Sequence, residues 1–289
     1  MAEKNSTRLR AMLDGGGTLL APGVYNGLSA RLVQQAGFAV AYASGGAIAR
    51  STGVPDLGLL TLSEVVARLA GIVDAVDIPV IADADTGYGN ALNAQRTIRE
   101  FERAGVAALH LEDQTFPKRC GHYDDKTIVP LREMAQKLRA ARDAATDPDL
   151  ILIARTDALA VEGMDGAVAR AQAYAEAGAD VIFVEAPTTL AQIEEIARRV
   201  PQPKLINMFQ GGKTPLVPLA DLTAMGYQIV IIPSDLQRAA MGAMMAVLEV
   251  IRRDGNSAAY NGPLPTFQQR EEVIGTADWM AKDKQYGAE

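Results

Sequence analysis

From Thr18 onward, short apolar runs alternate with longer amphipathic segments eight times over, and this repeat constrains the fold more than any other feature of the chain. Such alternation is what parallel strands wrapped by crossover helices produce. The predicted strands are Thr18 to Val24, Ala39 to Ala43, Pro79 to Ala84, Val106 to Leu111, Leu150 to Thr156, Val181 to Glu185, Lys204 to Met208 and Gln228 to Pro233. Helix ends punctuate the segments between them. Ser63 or Thr61 can cap the segment through Ile72, Asn93 opens one that ends at Ala104-Gly105, Asp165 opens one that ends at Ala177-Gly178, and Asp221 caps a short one ending at Gly226. Eight β-α units in 289 residues predict an α/β fold of the (β/α)8 TIM barrel type. A doubly wound open sheet should instead place a glycine-rich phosphate loop after the first strand, and Ala21-Pro-Gly-Val-Tyr-Asn-Gly27 lacks the spacing.

The expected organisation is a single domain over residues 1–289, with residues 236–289 as a C-terminal helical extension. Leu236 to Arg253 reads as a long helix rich in Ala and Met, and Asp254 to Gly262 as a break. A Met-rich face on such a helix is core packing or, if exposed, a subunit interface, and an oligomer is expected. The net charge of −7, with no long basic run, argues against a nucleic-acid partner. One cysteine leaves no intramolecular disulfide and fits a reducing compartment. With no apolar run of bilayer length and no signal-peptide core at the start, the expectation is a cytoplasmic protein that acts on a small molecule and not at a membrane.

In a barrel enzyme the working groups sit at the C-terminal ends of the strands. Here the second predicted strand ends in Ser44-Gly45-Gly46, the third in Asp83-Ala84-Asp85, the fourth in Glu112-Asp113, the fifth in Arg155-Thr156-Asp157, the sixth in Glu185, the seventh in Asn207 and the eighth in Pro233-Ser234. Asp83, Asp85 and Glu112 come from adjacent strands, and three converging carboxylates repel unless a cation joins them. Oxygen ligands suit Mg²⁺, or Mn²⁺, better than zinc. The competing reading pairs these acids with arginines at the barrel rim. Ser44-Gly45-Gly46 can offer backbone N–H groups to an anion or be a plain turn. Arg155 is a candidate carboxylate clamp, a salt-bridge partner of Glu185, or both. Thr86-Gly-Tyr-Gly-Asn90 reads as a mobile flap.

Between the fourth strand and a helix starting near Pro130 lies a long loop that holds Cys120, with Lys118 and Arg119 before it and His122 after it. That electropositive setting favours a thiolate or easy proton exchange.

Four runs, Ala82-Asp-Ala-Asp-Thr-Gly-Tyr-Gly-Asn90, His110-Leu-Glu-Asp-Gln114, Lys118-Arg-Cys-Gly-His122 and Ala154-Arg-Thr-Asp157, resemble in this order the isocitrate lyase and phosphoenolpyruvate mutase superfamily. Lys-Arg-Cys-Gly-His resembles the signature of its C–C lyases, and the resemblance runs from about Leu13 to Arg253. It implies Mg²⁺ on Asp83, Asp85 and Glu112, and a 2-oxo acid product held by the metal, Tyr42 and Ser44-Gly45-Gly46. Asp56 lies near the metal-bound end of the substrate, and Lys118, Gly121, Arg155 and Asn207 join it in substrate binding. Cys120, Glu185, Arg155 and His122 are the catalytic candidates, with a lid over residues 113–129. It also implies a homotetramer that exchanges C-terminal helices.

The implied reaction is Mg²⁺-dependent cleavage of a 2-hydroxy di- or tricarboxylate, 2-methylisocitrate or a substituted malate. The products are a 2-oxo acid, pyruvate or glyoxylate, and a carboxylate such as succinate. Cys120 protonates the carbanion as general acid, and Glu185, Tyr42 and Asp56 are all open as the initial base. The short chain looks more like methylisocitrate lyase than isocitrate lyase, while Gly211-Gly-Lys-Thr-Pro215 looks closer to carboxyphosphonoenolpyruvate mutase and dimethylmalate lyase, and Ser234 raises oxaloacetate hydrolysis or decarboxylation. A phosphonate mutase and a non-enzymatic barrel scaffold are the alternatives from other classes.

Overall fold

The computed structural model of the chain describes residues 3–119, 121 and 125–287. Eight parallel strands close into a barrel in sequence order, β1 beside β8. They are β1 Leu19–Val24, β2 Ala41–Ala43, β3 Val80–Asp83, β4 Ala108–Glu112, β5 Ile151–Thr156, β6 Val181–Val184, β7 Lys204–Asn207 and β8 Tyr227–Ile232. Every predicted strand is present, with ends shifted by a residue or two.

The strands read as continuous apolar runs because both faces of a parallel barrel are covered. Within each run the side chains alternate between two apolar layers. Ala41, Val80, Ala82, Leu109, Leu111, Leu152 and Ala154 face the surrounding helices. Tyr42, Ile81, Ala108, Ile151, Ile153, Phe183, Leu205, Ile229 and Ile231 fill the barrel interior. Counting on by twos from the interior set reaches Asp83, His110, Glu112, Arg155, Glu185 and Asn207. The charged strand ends are therefore the uppermost layer of the barrel's own interior.

The opposite end is closed by a helix the sequence reading did not anticipate, Asn5–Asp14. Its Leu9 is completely buried in the interior layer, with Met12 and Leu13 packed beside it. Helix ends differ from expectation in three places. Asn90 caps Ala91–Arg103, and Asn93 stands at its third position to complete a reciprocal capping box. Gly163–Glu176 begins two residues before Asp165, with no side-chain cap, and Leu219–Ala224 follows Pro218, leaving Asp221 inside its first turn. Thr61 caps Leu62–Val73 through a capping box with Glu64.

Beyond β8 the long helix is Asp235–Asp254, which packs against β1, and two further helices follow, Phe267–Ile274 and Thr276–Tyr286. Phe267–Ile274 lies against Gly27–Gln35. Much of this extension is exposed and apolar: Met244 is 56%, Met245 68%, Leu248 62% and Trp279 64% accessible. No described helix is long and apolar enough to cross a membrane.

Candidate active site

At the C-terminal mouth of the barrel a cavity of about 350 Å³ is lined by Tyr42, Ser44, Gly46, Asp56, Asp83, Lys118, Gly121, Arg155, Glu185 and Asn207. A smaller cleft that shares Asp56 and Asp83 adds Gly45, Asp85 and Tyr88. Every described residue read as a site candidate lies in one of the two except Glu112, which is buried beneath Arg155 with a 3.0 Å ion pair. Cys120 and His122 lie outside the described residues.

Ser44-Gly45-Gly46 is neither a plain turn nor a loose loop, since it opens the helix Gly45–Ser51, with the Ser44 hydroxyl accepting from the Ala47 N–H. The glycines leave room for acids. A Cβ on Gly45 would stand 2.7 Å from an Asp83 carboxylate oxygen, and one on Gly46 would stand 2.8 Å from Asp56. The start of this helix therefore stands at the cavity wall against two carboxylates.

Asp83 and Asp85, at i and i+2, line one cleft, Asp83 from the end of β3 and Asp85 from the turn after it. Asp85 turns into the left-handed region at φ 47°, and its N–H donates to Asp83 Oδ1 at 3.0 Å. The following segment, expected as a mobile flap, is a pinned turn. Lys137 donates to the Thr86 carbonyl, Thr97 donates to that of Gly87, and the hydroxyl of Tyr88, itself at φ 59°, is buried.

The rim arginine reading is partly realised. Arg155 donates to Asp157 from Nε at 3.0 Å and Nη2 at 3.2 Å, and pairs with Glu112. Its expected partner Glu185 stands further off, at 3.9 Å. Asn207 donates to Glu185 at 3.4 Å. Lys118, expected on the substrate, is ion-paired with Asp56 and, at 2.7 Å, with Asp85.

The electrostatics divide the acids. Burial works against ionising Asp83, but Lys118, Arg155 and the Asp85 N–H outweigh it and hold its pKa below the usual carboxylate range. Burial together with Asp83 and Asp56 pushes Asp85 up to about 6 in spite of Lys118. Glu112 is raised well above the usual carboxylate range by burial, and among the described residues neither of its oxygens accepts a hydrogen bond. Among the described residues no three histidine, cysteine or acidic side chains stand in ready ligand geometry. Even so, the raised pKa values of Asp85 and Glu112, each with one cation beside it, and the oxygen-only donor set fit a hard divalent cation.

Two features escaped the sequence reading. His110, fully buried inside the barrel, lies 2.8 Å through Nε2 from the Tyr42 hydroxyl, and burial lowers its pKa toward the neutral imidazole. Burial raises the Tyr42 phenol well above its usual value, so it stays protonated and acts as a donor. Further lining residues, Arg50, Phe183, Phe209, Gln237, Arg238 and Met241, come mostly from loops and helices, with Phe183 from β6. Only the inward position of Phe183 two residues before Glu185 could have signalled any of it.

A closed barrel with clustered acids, a helix start and a buried guanidinium around one cavity defines an enzyme for small anionic substrates. The chain belongs to the family described as phosphoenolpyruvate phosphomutase, whose sequence profile matches residues 9–252. It is 42% identical to 2,3-dimethylmalate lyase of Eubacterium barkeri, over 93% of this chain and 94% of the relative. It is 44% identical to 2-methylisocitrate lyase of Aeropyrum pernix, over 97% of this chain and 91% of the relative. Among solved structures, oxaloacetate acetylhydrolase with 3,3-difluorooxalacetate superposes with a TM-score of 0.92 at 34% identity, covering 99% of this chain and 98% of that one. Phosphonopyruvate hydrolase with oxalate and Mg²⁺ gives 0.90 at 35%, covering 98% and 99%. The chain is thus a carbon–carbon lyase of the isocitrate lyase and phosphoenolpyruvate mutase superfamily.

Gly45→Ala tests the close approach of Asp83 to the helix start. The variant is expected to fold with little change in melting temperature while turnover falls about 100-fold, the scale of a 1 Å misplacement at a reacting centre. Steady-state kinetics alongside thermal denaturation would read both.

Proposed function

We propose that this lyase cleaves the C2–C3 bond of a 2-hydroxy dicarboxylate or tricarboxylate, 2,3-dimethylmalate or 2-methylisocitrate, to a 2-oxo acid and a second carboxylate. The observation that carries the reading is the cavity that joins acidic side chains, a helix start and Arg155, in a chain more than 40% identical to two lyases of such acids. Asp83, Asp85 and Glu112 would hold Mg²⁺, or Mn²⁺, and when bound it would polarise the substrate's hydroxyl and carboxylate and lower the hydroxyl pKa.

The chain's own groups do the rest. The N–H groups after Ser44 receive a substrate carboxylate, and the protonated Tyr42 donates to the oxygen that becomes the 2-oxo group. Arg155 and Asn207 receive the carboxylate at the other end. Because the Tyr42 phenol stays protonated, the initial base is a carboxylate, Glu185 or Asp56. Cys120 delivers the proton to the carbanion released by cleavage, with His122 beside it in sequence to support the transfer, and residues 113–129 cover the site. A second reading, oxaloacetate hydrolysis, is favoured by Ser234, whose buried hydroxyl has no hydrogen-bond partner among the described residues and borders the cavity. The exposed Met- and Leu-rich face of Asp235–Asp254 supports assembly as a homotetramer with exchanged C-terminal helices, and the chain works in the cytoplasm as one domain with that extension.

Incubation with Mg²⁺ and, separately, 2,3-dimethylmalate, 2-methylisocitrate and oxaloacetate is expected to release a 2-oxo acid from one of the two hydroxy acids, and EDTA is expected to abolish it. Consumption of oxaloacetate alone would move the chain to the hydrolase reading, and no turnover would reject both. Cys120→Ser is expected to lose turnover by about 10²-fold or more, within the range for a positioned general acid, with Mg²⁺ binding retained. Normal turnover would remove Cys120 from the mechanism. Light scattering should give four times the 30.7 kDa chain mass, and a monomer would sink the exchanged assembly.

A further inference from the structure

Outside the groups already assigned, one buried cation touches the site from two sides. The Lys126 ammonium, with its side chain 1% accessible, donates to the Gly121 carbonyl at 2.6 Å and to Asp157 Oδ1 at 2.8 Å. The same Asp157 oxygen accepts from Arg155 Nη2, and Asp157 Oδ2 accepts from Arg155 Nε. Gly121 in turn lies directly on the Arg155 and Glu185 side chains, since a Cβ there would stand 2.4 Å from Arg155 Nη2 and 2.5 Å from Glu185 Oε1. The contacts form a closed circuit, from Gly121 to Lys126 to Asp157 to Arg155 and back to Gly121.

We infer that Lys126 is a positioning residue for the lyase reaction: it fixes the backbone at Gly121 against the cavity and, through Asp157, sets where the Arg155 guanidinium lies.

The charge balance explains why a cation is needed there. Asp157 is fully buried, and its N–H donates to a second buried carboxylate, Asp113, at 2.9 Å. Asp113 has its own partners in Arg170, Tyr174 and Thr156. Among the described residues, the cations paired with Asp157 are Lys126 and Arg155. Without the ammonium, the whole charge of Asp157 falls on Arg155 and draws the guanidinium from Glu112 and Glu185 toward Asp157. The Gly121 carbonyl loses its donor in the same step, so one substitution disturbs both walls of the cavity. A buried charge left with half its partners is a costly arrangement, and relaxation of the remaining partner is the expected response.

The inference rests on the proposed lyase reaction, and the test separates the two. Lys126→Met, Asp157→Asn and the double variant are compared with wild type in kcat and KM, in thermal midpoint, and in calorimetric binding of oxalate with MgCl₂. The expected result is a kcat reduced at least 30-fold in Lys126→Met with a thermal midpoint near that of wild type. The double variant should lose no more than the worse single variant, because Lys126→Met already removes both the Gly121 contact and the counter-charge at Asp157. A folded Lys126→Met with kcat within threefold of wild type, or losses that multiply in the double variant, would overturn the role. If Lys126→Met does not fold, Lys126→Gln, which keeps an N–H donor and loses the charge, is read by the same criteria. If the wild type turns over none of the substrates, the substrate reading fails, and the Lys126 role is judged on oxalate binding: equal weakening in single and double variants supports it, and unchanged binding rejects it.

Discussion

The guanidinium of Arg155 is the group on which the mouth of this barrel depends. It sits on β5 among three acids that reach it from different directions, Glu112 across the β4–β5 register, Asp157 from the turn after its own strand, and Glu185 from the end of β6. Its delocalised, always charged fork is suited to several carboxylates at once in a way that an ammonium is not. The acids gain a counter-charge in a place where burial alone would force them neutral. In the proposed reaction a substrate carboxylate competes for the same guanidinium, and its affinity would then depend on how firmly those acids hold it.

The geometry that brings these groups together is the ordinary alternation of a strand. Tyr42, Asp83, His110, Glu112, Arg155, Glu185 and Asn207 share the inward parity of Ile81, Ile153, Phe183 and Leu205 below them. The interior passes from aliphatic near Leu9, through the His110, Tyr42 and Phe183 rings, to charged groups at the top. Each layer is a floor for the next. His110 stacks on Tyr42 and meets Phe183 edge-on, which fixes the phenol beneath the acids without placing another charge there.

The parts of this arrangement that were legible in the sequence are those set by local rules. Apolar runs and glycine-marked helix ends located all eight strands, and the residues at their ends named the charged strand ends of the cavity wall but less than half of its lining. Local rules failed where tertiary contacts decide. Asn5–Asp14 carries too few apolar residues to look like a core element, and only the open floor of the barrel makes Leu9 one. The strand-end pattern placed Asp83 and Asp85 together, but not that the chain has already left the strand at Asp85 and entered the left-handed region. Lys118 and Lys126 look alike in sequence, two lysines of one polar loop. Each is buried against acids contributed by distant segments, a distinction that no window of sequence contains. Arg238 and Met241 belong to a helix that begins after the last strand, and nothing in their spacing connects them to a cavity built from strand ends.

That last helix has a further consequence. Gln237, Arg238 and Met241 on the first turns of Asp235–Asp254 line the cavity, while Met244, Met245 and Leu248 continue along the same rod as an exposed apolar strip. At about 1.5 Å per residue, Met241 and Met245 are separated by roughly 6 Å along the axis. A helix this regular does not bend to accommodate a neighbour at one end without turning the residues at the other. Changes that reshape the pocket and changes that alter what packs on the strip therefore draw on the same few turns. A lineage exploring new substrates on this scaffold has to renegotiate both at once.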